Sequence, residues 1–162
     1  MIKKSLRSSI KQKILNLGEE KRQQAQEDIC IKISAILETM QFKCLGVYWP
    51  LAYEVDISCL FQKFSPLCLP DLEGKNPVYR PWSGRKDDLA ATSNMPVPTS
   101  FSHQTVIPDV ILVPVIGFTK KCFRLGHGGG FFDRWLKQHP HAISLGVAFE
   151  IQHVGDLFEE DH

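Results

Sequence analysis

Apolar residues recur every three or four positions through the first forty residues of the chain. Leu6, Ile10, Ile14 and Leu17 form one stripe over residues 3–17, flanked by basic side chains, which is the spacing of an amphipathic helix. After Gly18 the run EEKRQQAQEDICIKISAILETM sets Ile29, Ile33, Ile36, Leu37 and Met40 on one side. It opens with acids, which suit a helix N-terminus, and predicts a second helix. From Lys43 the pattern changes: KCLGVYWP is a β-branched and aromatic run stopped by Pro50, read as a strand, and VDISCLFQKF regains helical spacing. LCLP is the next candidate strand. The stretch from Asp71 to Ser100 is rich in Pro, Gly, Asn and Ser and predicts loops with one or two short strands near Tyr79. DVILVP is continuously apolar between turn residues, as in a strand covered on both faces. A glycine-rich loop, a helix over 131–137 and the strand AISLGVAF follow. Strands alternate with helices, which predicts an α/β fold with a mostly parallel sheet flanked by helices.

A chain of 162 residues suits one domain spanning 1–162. Its 43% hydrophobic and 23% charged residues are the balance of a soluble protein with a substantial core. Nineteen basic against eighteen acidic residues point to neither a general nucleic-acid binder nor an acidic scaffold. The five cysteines are odd in number and contain no C-x-x-C pair. Reduced thiols in a cytoplasm are therefore expected, with neither a disulfide framework nor a zinc site. No apolar run approaches the roughly 18 to 20 residues that span a bilayer, and the basic N-terminus lacks the apolar core of a secretory signal.

Chemistry concentrates in RLGHGGGFFDRW, where Gly126, Gly128, Gly129 and Gly130 fall within five residues. Bare backbone at a helix N-terminus presents N–H groups that receive phosphate. A tight, mobile turn is the alternative, for the loop is neither a Walker A sequence nor a G-x-G-x-x-G fingerprint. Arg124 stands just before the glycines, where a guanidinium grips phosphate oxygens in two-pronged fashion. Asp133 lies in the first helical turn, either as a favourable helix charge or as a Mg2+ ligand beside bound phosphates.

The segment DVILVPVIGFTKKCFRLGHGGGFFDRWL resembles the signature of the 5-formyltetrahydrofolate cyclo-ligases, also called methenyltetrahydrofolate synthetases. The likeness extends to KKSLR, to YWPLAYEVDISCLF and to LGVAFEIQ, leaving only the irregular stretch 71–104 poorly matched. The resemblance implies a fold like those of sugar isomerases and CoA transferases. It also implies a C–N bond-forming ligase that uses MgATP to convert 5-formyltetrahydrofolate to 5,10-methenyltetrahydrofolate, releasing ADP and phosphate. Phosphorylation of the formamide oxygen would turn a poor leaving group into phosphate, leaving the protein to position ligands and neutralise charge.

By position, the resemblance assigns ATP to Lys3, Lys4, Arg7, Arg124, Gly126, His127, Gly128, Gly129, Gly130, Phe131 and Phe132. Folate falls to Trp49, Glu54 and Phe131, catalysis to Arg124 and Asp133, and Mg2+ to Asp133. A cytoplasmic monomer with a small-molecule substrate, binding neither nucleic acid nor membrane, is the expectation. The alternative is a divergent, non-catalytic nucleotide- or folate-binding module of the same fold. The chain departs from the signature at Phe131 and Phe132, where two tyrosines are usual, at Thr119 in place of Asp, at Cys122 in place of Gly, and at Val97 in place of Glu. The family's tail supplies a further Mg2+-binding Asp, whose position falls one residue past His162. Weak Mg2+ binding, with Glu160 or Asp161 as substitute ligands, is expected on that basis.

Overall fold

The computed structural model describes residues 2–90, 95–100 and 103–155. Both leading helices form, as α1 (Ile2–Leu15) and α2 (Glu19–Glu38). Strands β1 (Leu45–Gly46), β2 (Leu67–Glu73), β3 (Asn76–Trp82) and β4 (Val110–Pro114) follow, then the two-residue strands β5 (Gly117–Phe118) and β6 (Arg124–Leu125). Helix α3 (Phe131–Gln138) and strand β7 (Ile143–Val147) complete the named elements. The sheet runs β3-β2-β1-β4-β7. Its pairs are parallel except for the β2–β3 hairpin, so the mostly parallel expectation holds.

The side-chain alternation of β4 divides the core. Val110 and Leu112 join Ile10, Ile14, Ile33 and Leu37 from α1 and α2, with Leu45 and Leu67. Ile111 and Val113 face the other way, with Cys68, Tyr79 and Trp135 and the half-buried rings of Phe131 and Phe132. Adjacent strand residues point to opposite faces, and a sheet so covered on both faces needs the unbroken apolar run that DVILVP supplies. Asp109, just before β4, accepts the backbone N–H groups of Lys43 (2.9 and 3.1 Å) and Cys44 (3.1 Å), fixing the entry to β1. Burial opposes the charge on Asp109, but these N–H groups outweigh it and hold the carboxyl below its usual range.

Four expectations are corrected. The strand over KCLGVYWP pairs as a ladder only at Leu45 and Gly46, and Val47 adds one further bond to Cys68 O. Residues 55–64 form a single 3-10 turn, Ser58–Leu60, because Val55, Ile57, Leu60 and Phe61 are all drawn into the core. Cys30 of α2 and Cys59 of that turn are joined as a disulfide. Their separation of 29 residues hid the pair from a search for close spacing, and the expectation of five reduced thiols is wrong for these two. The glycine loop does not directly follow β4, because the β5–β6 hairpin intervenes.

That hairpin turns through Cys122 at φ +64, a left-handed conformation that glycine adopts without cost and other residues resist. The resembled signature has glycine here. Cys122→Gly is expected to raise stability by up to about 1 kcal/mol, read as a higher urea midpoint at unchanged slope; a lower midpoint would count against strain at this turn.

Candidate functional site

A cavity of about 600 Å³ opens at the carboxyl ends of β1 and β4, where Tyr48 and Trp49 leave β1 and Pro114 ends β4. Parallel α/β sheets place ligands at such strand ends. The volume lies within the range of small-molecule sites.

One wall is cationic. Lys3 and Arg7, one turn apart on α1, both line the cavity, as residues four apart on a helix share a face. Lys4 does not reach it. It lies about 100° further round the helix and is exposed, so it is not brought together with the other expected nucleotide ligands. Arg7 Nε donates to Gly126 O at 2.7 Å, tying α1 to the glycine loop. Gly128 has φ +104 and Gly130 φ +68, backbone that side chains disfavour. A Cβ on Gly128 would lie 3.6 Å from the Arg7 guanidinium carbon, an ordinary contact, so the positive φ and not crowding favours glycine here. Gly130 caps α3, and Phe131, Phe132 and Asp133 in its first turn line the cavity with Gly126, His127 and Gly129.

Arg124, on β6, forms an ion pair with Asp133. The Asp133 side chain is 74% exposed and that of Arg124 22%. An ion pair this open to water contributes little to stability, so other oxygens can displace the carboxylate. Among the described residues no group of three or more His, Cys, Asp or Glu side chains is placed to hold a metal. Glu160 and Asp161 lie outside the described residues.

A second part of the lining comes from the segment after β1. The Glu54 side chain is only 5% exposed. Oε2 accepts the Leu51 N–H at 2.8 Å, and Oε1 lies 3.0 Å from His127 Nε2. Arg22 Nη2 donates to the backbone carbonyls of Ala52 and Glu54, bracing the turn that carries the acid. Tyr48 donates its hydroxyl to Val55 O at 2.8 Å. Burial first, and then the charges of Glu54 and Asp56, push the Tyr48 phenol well above its usual range, keeping it neutral. Trp49 lines the cavity and stacks on Phe61 with centroids 6.2 Å apart. It is both a core anchor and a wall.

Met95 and Pro96 also line the cavity, from the stretch whose composition predicts loop. Their neighbourhood is held by Asp88, whose carboxylate accepts hydrogen bonds from Ser83, Thr99 and Ser100. Burial opposes ionisation of Asp88, but the Ser100 side chain and amide, then Ser83 and Thr99, outweigh it and bring the carboxyl down to about 2. The one sequence signal for this arrangement was the acid–hydroxyl content of SGRKDDL and PTS, which does not reveal a pairing across a loop.

A family model described as the 5-formyltetrahydrofolate cyclo-ligase family matches residues 1–162. A 5-formyltetrahydrofolate cyclo-ligase of Haemophilus influenzae is 27% identical over 175 residues, spanning 96% of this chain and 89% of its own. The NMR structure of the Aquifex aeolicus 5,10-methenyltetrahydrofolate synthetase aligns with a TM-score of 0.78 at 29% identity, over 94% of this chain and 80% of that one. A methenyltetrahydrofolate synthetase from Mycoplasma pneumoniae aligns at 0.73 and 23% identity, over 95% and 89% of the two chains, a likeness of fold.

Proposed function

The chain belongs to the 5-formyltetrahydrofolate cyclo-ligase family, and we propose on that premise that its cavity converts 5-formyltetrahydrofolate to 5,10-methenyltetrahydrofolate with MgATP as co-substrate. The observation that carries this reading is a single cavity with two chemically distinct walls. Lys3, Arg7, Arg124 and the glycine loop make one, Trp49 and Glu54 the other.

The cationic wall fits a polyphosphate. Backbone at Gly128 to Gly130 leaves room for close approach, Lys3 and Arg7 bring positive charge, and Arg124 has a carboxylate partner that phosphate oxygens can replace. Asp133 fits a metal carried in with the nucleotide, because Mg2+ is held by one or two carboxylates plus phosphate oxygens and keeps its remaining waters. When bound, the metal neutralises charge between the phosphates and Asp133. Lys4 and the His127 side chain are left out of this assignment.

On the folate wall, Glu54 accepts hydrogen bonds from the amino-pyrimidine edge of the pterin, and Trp49 offers a ring face. The chain's residues then do three things. They align the formamide oxygen with the γ-phosphoryl group, hold the departing ADP, and keep N10 beside the formyl carbon while phosphate leaves. Such work is positioning and charge neutralisation. Phe131 and Phe132 keep the ring packing against Tyr79 and each other without the hydroxyls that tyrosines would bring. We further place the enzyme in a cytoplasm as a monomer acting on a small molecule; among the described residues no helix is long and apolar enough to cross a membrane.

Glu54→Gln separates the two walls. Folate affinity is expected to fall about tenfold or more, the scale of a hydrogen bond to a charged group, with MgATP affinity nearly unchanged in calorimetry. Equal losses for both ligands would overturn the assignment of walls.

A further inference from the structure

His127 stands in the glycine loop, yet its ring turns away from the role that the loop suggests. Its Nε2 lies 3.0 Å from Glu54 Oε1, and its side chain is 30% exposed against 5% for Glu54. Behind it lies the Tyr53 ring, centroids 5.7 Å apart, and Lys11 Nζ sits 4.1 Å above that ring. Side chains from α1, the segment after β1 and the glycine loop thus form one row ending on the carboxylate. Leu51 N–H holds the other oxygen of Glu54 at 2.8 Å.

We infer that His127 is a positioning residue for Glu54: it fixes the orientation of the folate-side carboxylate from within the nucleotide loop. The inference rests on the folate assignment of Glu54 made above. A carboxylate bonded at one oxygen and contacted at the other has spare lone pairs on each, and their directions are set before ligand arrives. Pre-ordering a buried acid removes the conformational cost that binding would otherwise carry. An imidazole does this from a loop whose glycines leave the neighbouring positions without side chains, so the same peptide serves one ligand through its amides and the other through its one ring.

The test is a double-mutant cycle on the full chain, with 5-formyltetrahydrofolate and MgATP titrated separately by calorimetry. His127→Ala is expected to weaken folate binding about tenfold and leave MgATP within about twofold, since a polar contact to the buried carboxylate is lost on the folate wall only. His127→Gln, which retains an N–H donor, is expected to recover most of the loss. With Glu54→Gln already present, His127→Ala is expected to add less than about twofold, because residues that act through one contact are non-additive. A loss confined to MgATP, or a full tenfold loss that persists in the Glu54→Gln background, would overturn the inference and leave the folate role of Glu54 standing. If Glu54→Gln itself leaves folate affinity intact, the folate wall is wrong and the inference falls with it. Circular dichroism of each variant checks the fold, and His127→Gln keeps the comparison open should the alanine variant lose structure.

Discussion

Arg124→Ala is expected to lower kcat/KM for nucleotide by roughly 10²–10³-fold, the loss that follows removal of a donor aimed at developing charge. Its side chain is more than three-quarters buried at the cavity edge, with an ion pair to the exposed Asp133. Its backbone lies in the short β5–β6 ladder, which alanine leaves in place. Stability should therefore change little, for the lost ion pair is of the exposed kind worth about 0–1 kcal/mol. Arg124→Lys restores charge without the two-pronged geometry and is expected to recover activity only in part. Steady-state kinetics beside a thermal melt checks both halves. Full activity in the alanine variant would remove Arg124 from the phosphate site, and a collapsed melt would make its role structural.

The second large effect lies beneath the site. Trp135, in the middle of α3, is 1% exposed and packs edge-on against Tyr79 with centroids 5.0 Å apart. It also lies against His139 at 4.4 Å. Trp135→Ala is expected to cost about 3–5 kcal/mol, the range for deleting a buried large ring. In a chain of this size that corresponds to a melting temperature lower by roughly 10 °C or more. Because α3 carries Asp133 and anchors the Gly130 end of the glycine loop, activity should fall along with stability. Trp135→Phe retains most of the buried area and should recover most of both. A melt unchanged in the alanine variant would contradict the placement of α3 against the sheet.

What could be read in the sequence follows from how local each signal is. The stripes of α1 and α2 and the unbroken apolar run of β4 were legible because their periods are set by the element itself. So was the glycine loop, whose composition has few other physical reasons. The strand over 43–50 and the helix over 55–64 were overread, since both segments are apolar for a tertiary reason: they close over the core between longer elements. The β5–β6 turn through Cys122 was not legible from the cysteine itself, and only the glycine of the resembled signature pointed to a positive φ there. The Cys30–Cys59 pair was hidden too, because its two elements meet only once the chain has folded.

The site divides in the same way. Lys3, Arg7 and the residues from Arg124 to Asp133 belong to two short segments and come together as expected, whereas Lys4 fails on helix geometry alone. Glu54 was found by resemblance, but its burial and its contact with His127 link positions 73 residues apart, a distance no local pattern spans. Met95 and Pro96 arrive through the hydrogen bonds of Asp88 to Ser83, Thr99 and Ser100, again a pairing made across a loop.

The central claim is that one cavity brings folate and nucleotide together for a phosphoryl-driven cyclisation. Its most direct test is a single reaction of the purified chain with MgATP and 5-formyltetrahydrofolate, following methenyltetrahydrofolate absorbance and ADP in the same sample. The account predicts that both products rise together in equal amounts and that omission of either substrate abolishes both. Binding of both ligands with no product, or ADP release that does not depend on folate, would contradict it.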